Sequence, residues 1–361
     1  MGDYVFVVRG NMLSNKCGKN DRLLVLIFSV VFIVVLFLSL FVVYELSLSV
    51  VGGGGGVVFV GSEGELERVV NNVWWRWGRS VVVALNRDVV LSKPLVISDG
   101  RHVTLTSNVA VGDGFFRLVG ADNEPVVFVG EGGWLCVDGV VVTHEVGVKG
   151  GGVVVRVGGE FVLVSGKISG NTIANGTYGG GGVYNLGVFR MFGGEISNNN
   201  ALESYGYSYS HGAVYSPGSG GGVYNGDEGV FELFGGLITN NVAMAGGGVY
   251  NRGNFTMSGG SITKNTSKYS DTNKVQYYES WGGGVGNNNG VFIMSGGLIT
   301  QNIARANYGG GVYGSSGGVY GSSSGGVVVF EGGEVVNNVC KIGEGNDIYV
   351  VGKDGTVVLV R

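Results

Sequence analysis

The chain has 361 residues, 73 of them Gly and 3 Pro, a formal net charge of −4 and 44% hydrophobic residues. No Gly-X-Y period accompanies the glycine, which excludes collagen, and the abundant Val, Phe and Tyr exclude a disordered Gly-rich chain. The charge is slightly acidic and forms no basic stripe, so no nucleic-acid partner is expected.

Residues 1–22 carry Arg9, Lys16, Lys19 and Arg22 and read as a cytoplasmic tail. Leu23 to Tyr44 is then a 22-residue apolar run broken only by Ser29 and Ser39, long enough to span a bilayer as a helix. No Lys or Arg follows until Arg68, while Glu45, Glu63, Glu65 and Glu67 do. This asymmetry predicts a single-pass anchor in the cell membrane with the N-terminus inside and the bulk of the chain extracytoplasmic. The competing reading is a cleaved signal peptide ending near Ser47-Leu48-Ser49, although the apolar core is long for one. Residues 45–56, with the run Gly52 to Gly56, form a Gly-rich tether.

Residues 57–361 are expected to form one domain: a cap and irregular coils over 57–158, regular repeats over 159–340 and closing strands over 341–361. Ser62-Glu63-Gly64-Glu65 is a capping box. With Leu66, Val69, Val70, Val73 and Trp77 at helical spacing it predicts an amphipathic helix over 63–75 that covers the solenoid's N-terminal end. Trp74, Trp75 and Trp77 read as cap packing, with a sugar platform as the alternative. Strands are expected at Val81–Leu85, Val89–Leu91, Leu95–Ile97, Val103–Thr106, Phe116–Val119, Val126–Val129, Trp134–Val137 and Val140–Thr143. Asp99-Gly100, Asp113-Gly114 and Asp138-Gly139 mark turns between them.

From Phe161 onward a unit recurs: aromatic-x-apolar-x-Gly-Gly-x-Ile-x-x-Asn. Its copies run Phe161–Asn171, Phe189–Asn199, Phe231–Asn241, Phe255–Asn265, Phe292–Asn302 and Val328–Asn338. The constant length implies two short strands joined by a tight turn whose backbone angles need Gly-Gly. A second module, Gly-Gly-Gly-Val-Tyr-Asn, precedes three copies at Gly180–Asn185, Gly220–Asn225 and Gly246–Asn251, with Gly-Gly-Gly-Val-Gly-Asn at Gly282–Asn287. It reads as a third strand, giving three strands and three turns per unit. Asn171, Asn199, Asn241, Asn265, Asn302 and Asn338 would then stack as a structural ladder of amides. Ile348–Val351 and Val357–Val360 read as a closing pair of strands.

Cys17 precedes the apolar run, and Cys136 and Cys340 fall many coils apart. Coils stack at about 4.8 Å, so no intrachain disulfide is expected.

The Gly-Gly-x-Ile and Ile-x-x-Asn elements, with Gly-Gly-Gly-Val-Tyr-Asn between them, resemble the right-handed parallel β-helix repeat proteins of the pectate-lyase-like superfamily. Within it they are closest to adhesin-like surface proteins, and they are similar to the repeats of polymorphic outer-membrane proteins. The resemblance covers roughly residues 57–361 and implies an all-β right-handed parallel β-helix with surface-exposed function. The chain ends at Val-Val-Leu-Val-Arg with no C-terminal membrane barrel, so the N-terminal segment is expected to anchor it.

Some proteins of this fold cleave polysaccharides, but none of the polygalacturonase-like elements is present, and His211-Gly212 is only a fragment of one. Between 151 and 326 the only Asp residues are Asp227 and Asp271, and Glu residues fall on different coils with no close pair. His102, His144 and His211 are isolated. No enzyme activity, cofactor or metal site is expected, with a polysaccharide lyase or hydrolase as the residual alternative.

The variable stretch lies between the ladder Asn and the next Gly-Gly-Gly. It is long after Asn199 and after Asn265, and both insertions are Tyr-rich. Tyr205, Tyr207, Tyr209 and Tyr215 in one, and Tyr269, Tyr277, Tyr278 and Trp281 in the other, are the candidate ligand-binding residues. A glycan or a partner surface is the expected ligand; loop packing, and hence a purely structural envelope protein, is the alternative. Asn175, Asn254 and Asn265 begin glycosylation sequons; Asn175 is the best placed, and Asn265, as a ladder residue, is expected to be unmodified.

Overall fold

A computed structural model of the chain describes residues 56–71, 80–108, 114–173, 179–201, 218–268, 282–305, 319–321, 326–340, 348–350 and 356–359. All belong to the compact unit Gly55–Arg361. The apolar run Leu23–Tyr44, the tryptophans at 74, 75 and 77 and both Tyr-rich insertions lie outside the described residues. Among the described residues no helix is long and apolar enough to cross a membrane.

Every strand pairing between coils is parallel, and the strands wind into an all-β solenoid. One turn shows the path. Val223–Asn225 lies in sheet B, Val230–Leu233 and Leu237–Thr239 in sheet A, and Val242–Ala243 in sheet C. The chain then re-enters sheet B at Val249–Asn251, in register with Val223–Asn225. Each regular coil therefore has four short strands rather than three. The fourth follows the ladder Asn, at Asn200–Ala201, Val242–Ala243, Thr266–Lys268, Ile303–Arg305 and Val339–Cys340. Two or three residues of mixed polarity there carry too short an alternation to be read as a strand. In the earlier coils Trp134–Thr143 and Glu160–Ser169 run unbroken through the bend, with a register shift at Ser165.

Alternation sets the core. Phe161, Phe189, Phe231, Phe255 and Phe292 point inward, are fully buried, and stack at centroid separations of 5.0, 4.7, 4.7 and 4.8 Å. These spacings are the strand spacing itself, so each ring packs on its copy in the next coil. In the last copy Val328 takes the Phe position and Phe330 the Met position, and its ring meets Phe292 edge-on at 6.2 Å. Ile168, Ile196, Ile238, Ile262 and Ile299 form the facing column. Burying each such side chain contributes about 1.5–3 kcal/mol.

The two glycines of the bend have different jobs. The second holds the left-handed turn, with φ of 92° at Gly236 and 75° at Gly260. The first has no such φ; a Cβ at Gly235 would lie 2.5 Å from the carbonyl oxygen of Phe192 in the coil below. Ser165 is tolerated at that place in the first copy because the register slips there.

The buried asparagines hydrogen-bond coil to coil. Nδ2 of Asn171 donates to Oδ1 of Asn199 at 2.9 Å, Asn199 to Asn241 at 3.0 Å, Asn241 to Asn265 at 3.0 Å, Asn265 to Asn302 at 3.0 Å and Asn302 to Asn338 at 2.9 Å. The same Oδ1 atoms accept the backbone N–H of the preceding Asn. At the N-terminal end buried His144 closes the row, with Nδ1 2.8 Å from Asn171 Oδ1 and Nε2 3.0 Å from the Glu124 carbonyl oxygen. A second row runs in parallel: Asn185, Asn225, Asn251 and Asn287, each Nδ2 2.7 Å from the next Oδ1.

Sheet C needs small inward side chains, and Ala243, Ser267 and Ala304 share one column. Ser267 is fully buried and its hydroxyl has no hydrogen-bond partner. Ser267→Ala is expected to raise the stability of the domain by about 1 kcal/mol, because an unsatisfied buried hydroxyl costs on that order. A lower denaturant midpoint for the variant would contradict this.

The helix spans Glu63–Val70, shorter than the expected 63–75; residues 72–79 are outside those described. Ser62 Oγ accepts the Glu65 N–H, while Glu65 reaches back to the Gly61 N–H at 2.8 Å. Leu66 and Val70 are buried in the core with Val60 and Val83 of the first two coils. Glu63 ties the helix down: Oε1 accepts the Ser92 backbone N–H at 2.7 Å and the Ser92 hydroxyl at 2.8 Å. The backbone bond from Ser92 chiefly holds this carboxyl below its ordinary range. A depressed folded-state pKa stabilises above the unfolded pKa and is lost as pH falls through the folded one. Acidification from neutral pH is therefore expected to lower the unfolding midpoint more in the parent than in Glu63→Gln. Equal acid sensitivity of the two would contradict the tie.

Candidate functional site

The outward face of sheet B is the most distinctive surface among the described residues. Val96, Phe128, Val154, Tyr184, Tyr224, Tyr250 and Gly286 follow one another in register along successive coils. In each Val-Tyr-Asn strand the Val and Asn face in, so the Tyr must face out. The Tyr184 and Tyr224 rings stack at 5.1 Å and 19°, and Tyr224 and Tyr250 at 5.4 Å and 29°. Tyr184 and Tyr224 are half-buried, whereas Tyr250 is fully buried and its hydroxyl accepts from Asn288 Nδ2 at 2.6 Å. Gly179 makes room for the Tyr224 ring, which lies 2.5 Å from where a Cβ would stand. Burial pushes the Tyr224 hydroxyl above its ordinary pKa, so it stays a neutral hydrogen-bonding group.

The turns that leave sheet B line this face with polar groups. Arg156 places its guanidinium 5.4 Å from the centroid of Phe128. Arg252 grips Asp227 with two nitrogens, at 2.7 and 3.3 Å. The surface combines flat aromatic edges, a fixed guanidinium–carboxylate pair and the Asn288 amide.

On the opposite border lie the entries from sheet C. Tyr205, Tyr207, Tyr209 and Tyr215 fall between Ala201 and Gly218, and Tyr269, Tyr277, Tyr278 and Trp281 between Lys268 and Gly282. These eight residues lie outside the described residues, but their anchors do not. Both insertions leave sheet C and rejoin the chain just before a sheet B strand, at Val223 and at Val285. The sheet B tyrosines were missed in the sequence as site residues, although the Val-Tyr-Asn alternation carries that signal.

The ladder asparagines are buried and bonded to one another, so they present no atom to a ligand. A close carboxylate arrangement absent from the sequence reading does exist on the outer face of sheet A. Glu160 and Glu232 fall on coils either side of Arg190 and both pair with it, the Glu232 contact being 2.7 Å. Trp134 Nε1 donates to Glu160 Oε1 at 3.2 Å, and His102 tilts over Trp134 at 5.9 Å. Arg190 occupies the space between the two carboxylates, which makes this a cross-coil ion-pair row and leaves no gap for a reacting atom. Among the described residues no three His, Cys, Asp or Glu side chains gather to hold a metal ion. Cys136 is buried and burial pushes its thiol up to about 12, which keeps it protonated and unreactive. No family model, curated protein or solved structure matches the chain.

Proposed function

We propose that the chain is a membrane-anchored, extracytoplasmic adhesin-like protein that binds a glycan or a partner surface along sheet B and its Tyr-rich border. In this reading the solenoid is a right-handed β-helix of the pectate-lyase-like kind, held to the membrane by Leu23–Tyr44 and passive in chemistry. One observation carries it: the outward Tyr184–Tyr224 stack, flanked by the Arg252–Asp227 pair. Aromatic side chains on a rigid floor offer large contact area at little cost in ordering.

The test is a glycan-array screen of residues 57–361, with product analysis of every bound polymer. The parent is expected to bind. Joint replacement of Tyr205, Tyr207, Tyr277 and Tyr278 by Ala, and separately Tyr184→Ala with Tyr224→Ala, should each weaken binding at least about tenfold, or roughly 1.4 kcal/mol. Unchanged affinity in both variants would sink the proposed surface. Binding to no glycan would favour a protein partner or a structural envelope role, and shortened polymer would favour a lyase or hydrolase.

A further inference from the structure

We propose that Asn254 is a site of N-linked glycan attachment and that the glycan covers apolar side chains on the outer face of sheet A. The proposal rests on the extracytoplasmic reading above, because only a chain delivered across a membrane meets the transfer machinery.

Two of the three sequons lie among the described residues, and their surroundings are opposite. Asn265-Thr266-Ser267 begins with a ladder residue. Asn265 is fully buried, and its Nδ2 hydrogens go to the Ile238 carbonyl at 2.9 Å and to Asn302 Oδ1 at 3.0 Å. A glycosylated amide keeps only one hydrogen, so modification there is incompatible with the fold. Asn254-Phe255-Thr256 lies in the strand Asn254–Met257, with Asn254 and Thr256 both exposed on the outer face. Its backbone is fixed, the N–H donating to the Gly229 carbonyl at 2.9 Å and the carbonyl accepting from Asn225 Nδ2 at 3.0 Å. Phe255 anchors the strand between the Phe231 and Phe292 rings. Among the described residues no side-chain hydrogen bond engages the Asn254 amide, which projects from a rigid base.

The neighbours give the glycan something to cover. Asn254 stands in register between Val230 and Val291, and Thr256 between Glu232 and Ile293. Val230, Val291 and Ile293 are outward and partly exposed, as are Val327 and Val329 one coil further. Contiguous outward aliphatic side chains on a β-surface invite association, and the C–H faces of sugar rings shield them. In the transfer itself the Asn254 Nδ2 bonds to the anomeric carbon of a lipid-diphosphate-linked oligosaccharide. The bond from that carbon to the diphosphate oxygen breaks, the lipid diphosphate leaves, and the amide nitrogen gives up one proton.

The experiment translates the full chain in the presence of microsomes and reads protease protection, endoglycosidase-sensitive mass and the modified peptides. Protected chains are expected to carry a glycan on Asn254 and none on Asn265. Asn254→Gln and Thr256→Ala should each remove that glycan without moving the thermal midpoint. Enzymatic removal of the glycan should raise hydrophobic-dye fluorescence roughly twofold. A protected chain with Asn254 unmodified, whether or not Asn175 is modified, overturns the site alone. Dye fluorescence unchanged on deglycosylation overturns the covering role. A chain left wholly accessible to protease overturns the extracytoplasmic reading and the site with it.

Discussion

Asn241→Ala should destabilise the domain by about 3–5 kcal/mol. Asn241 is fully buried and accepts both the backbone N–H and the Nδ2–H of Asn199 at 3.0 Å. It donates to the Ile196 carbonyl at 2.9 Å and to Asn265 Oδ1 at 3.0 Å. Truncation removes four hydrogen bonds: Asn265 Oδ1 keeps the Asn241 backbone N–H, but the Asn199 N–H and Nδ2–H lose their acceptor and the Ile196 carbonyl loses a donor, and no described partner replaces the lost amide. Replacement by Leu should be no better, since shape alone satisfies none of them. Chemical denaturation of the 57–361 domain measures this directly. A loss under about 1 kcal/mol would mean that water or a rearranged coil satisfies the row.

The Gly-Gly bend gives the second large effect and separates two causes that look alike in the sequence. Gly235→Ala should cost about 3 kcal/mol or more, because its Cβ would drive two coils apart at the Phe192 carbonyl. Gly260→Ala should cost about 1–2 kcal/mol, chiefly the penalty of a left-handed turn at φ 75°, because its Cβ would meet the Gly236 carbonyl oxygen less severely, at 3.0 Å. The order is the informative part. If the second glycine proved the costlier, backbone angle rather than coil spacing would govern the bend. Lys264 and Gln301 already hold left-handed φ of 57° next to the ladder Asn, so the fold accommodates this strain in longer side chains.

Much of this architecture can be read from residue order because the repeat is nearly invariant. The fixed spacing from Phe231 to Asn241 places one strand, one bend and one ladder residue in every copy, and parallel stacking follows from that constancy. What escapes has a physical reason. Val242–Ala243 and its equivalents are too short to alternate visibly, so the fourth strand is silent. The second asparagine row, Asn185 to Asn287, hides inside a module whose Gly-Gly-Gly dominates the eye. The Glu160–Arg190–Glu232 row joins residues 72 positions apart at its ends, and only the stacking of coils brings them onto one face. The Tyr184–Tyr224 face escapes for the same reason. Its members are alike in sequence, but that they form one continuous surface is a property of the stack.

A side chain that supports the scaffold and one that meets a ligand are also separable here. Asn199 and Asn241 face inward and hydrogen-bond one another, whereas the Tyr184 and Tyr224 rings face outward and stack. Function on this chain is therefore expected where alternation turns residues away from the core and where the coil length varies.

Two buried asparagine rows lock the coils into one rigid stack. Hydrogen–deuterium exchange of Asn side-chain amides, read by NMR on selectively labelled 57–361, tests it most directly. The Nδ2 hydrogens of Asn199, Asn225, Asn241, Asn251 and Asn265 are predicted to exchange only through global unfolding, with one common dependence on denaturant. Exchange of these amides within seconds in the folded protein, or on separate local timescales, would contradict the account.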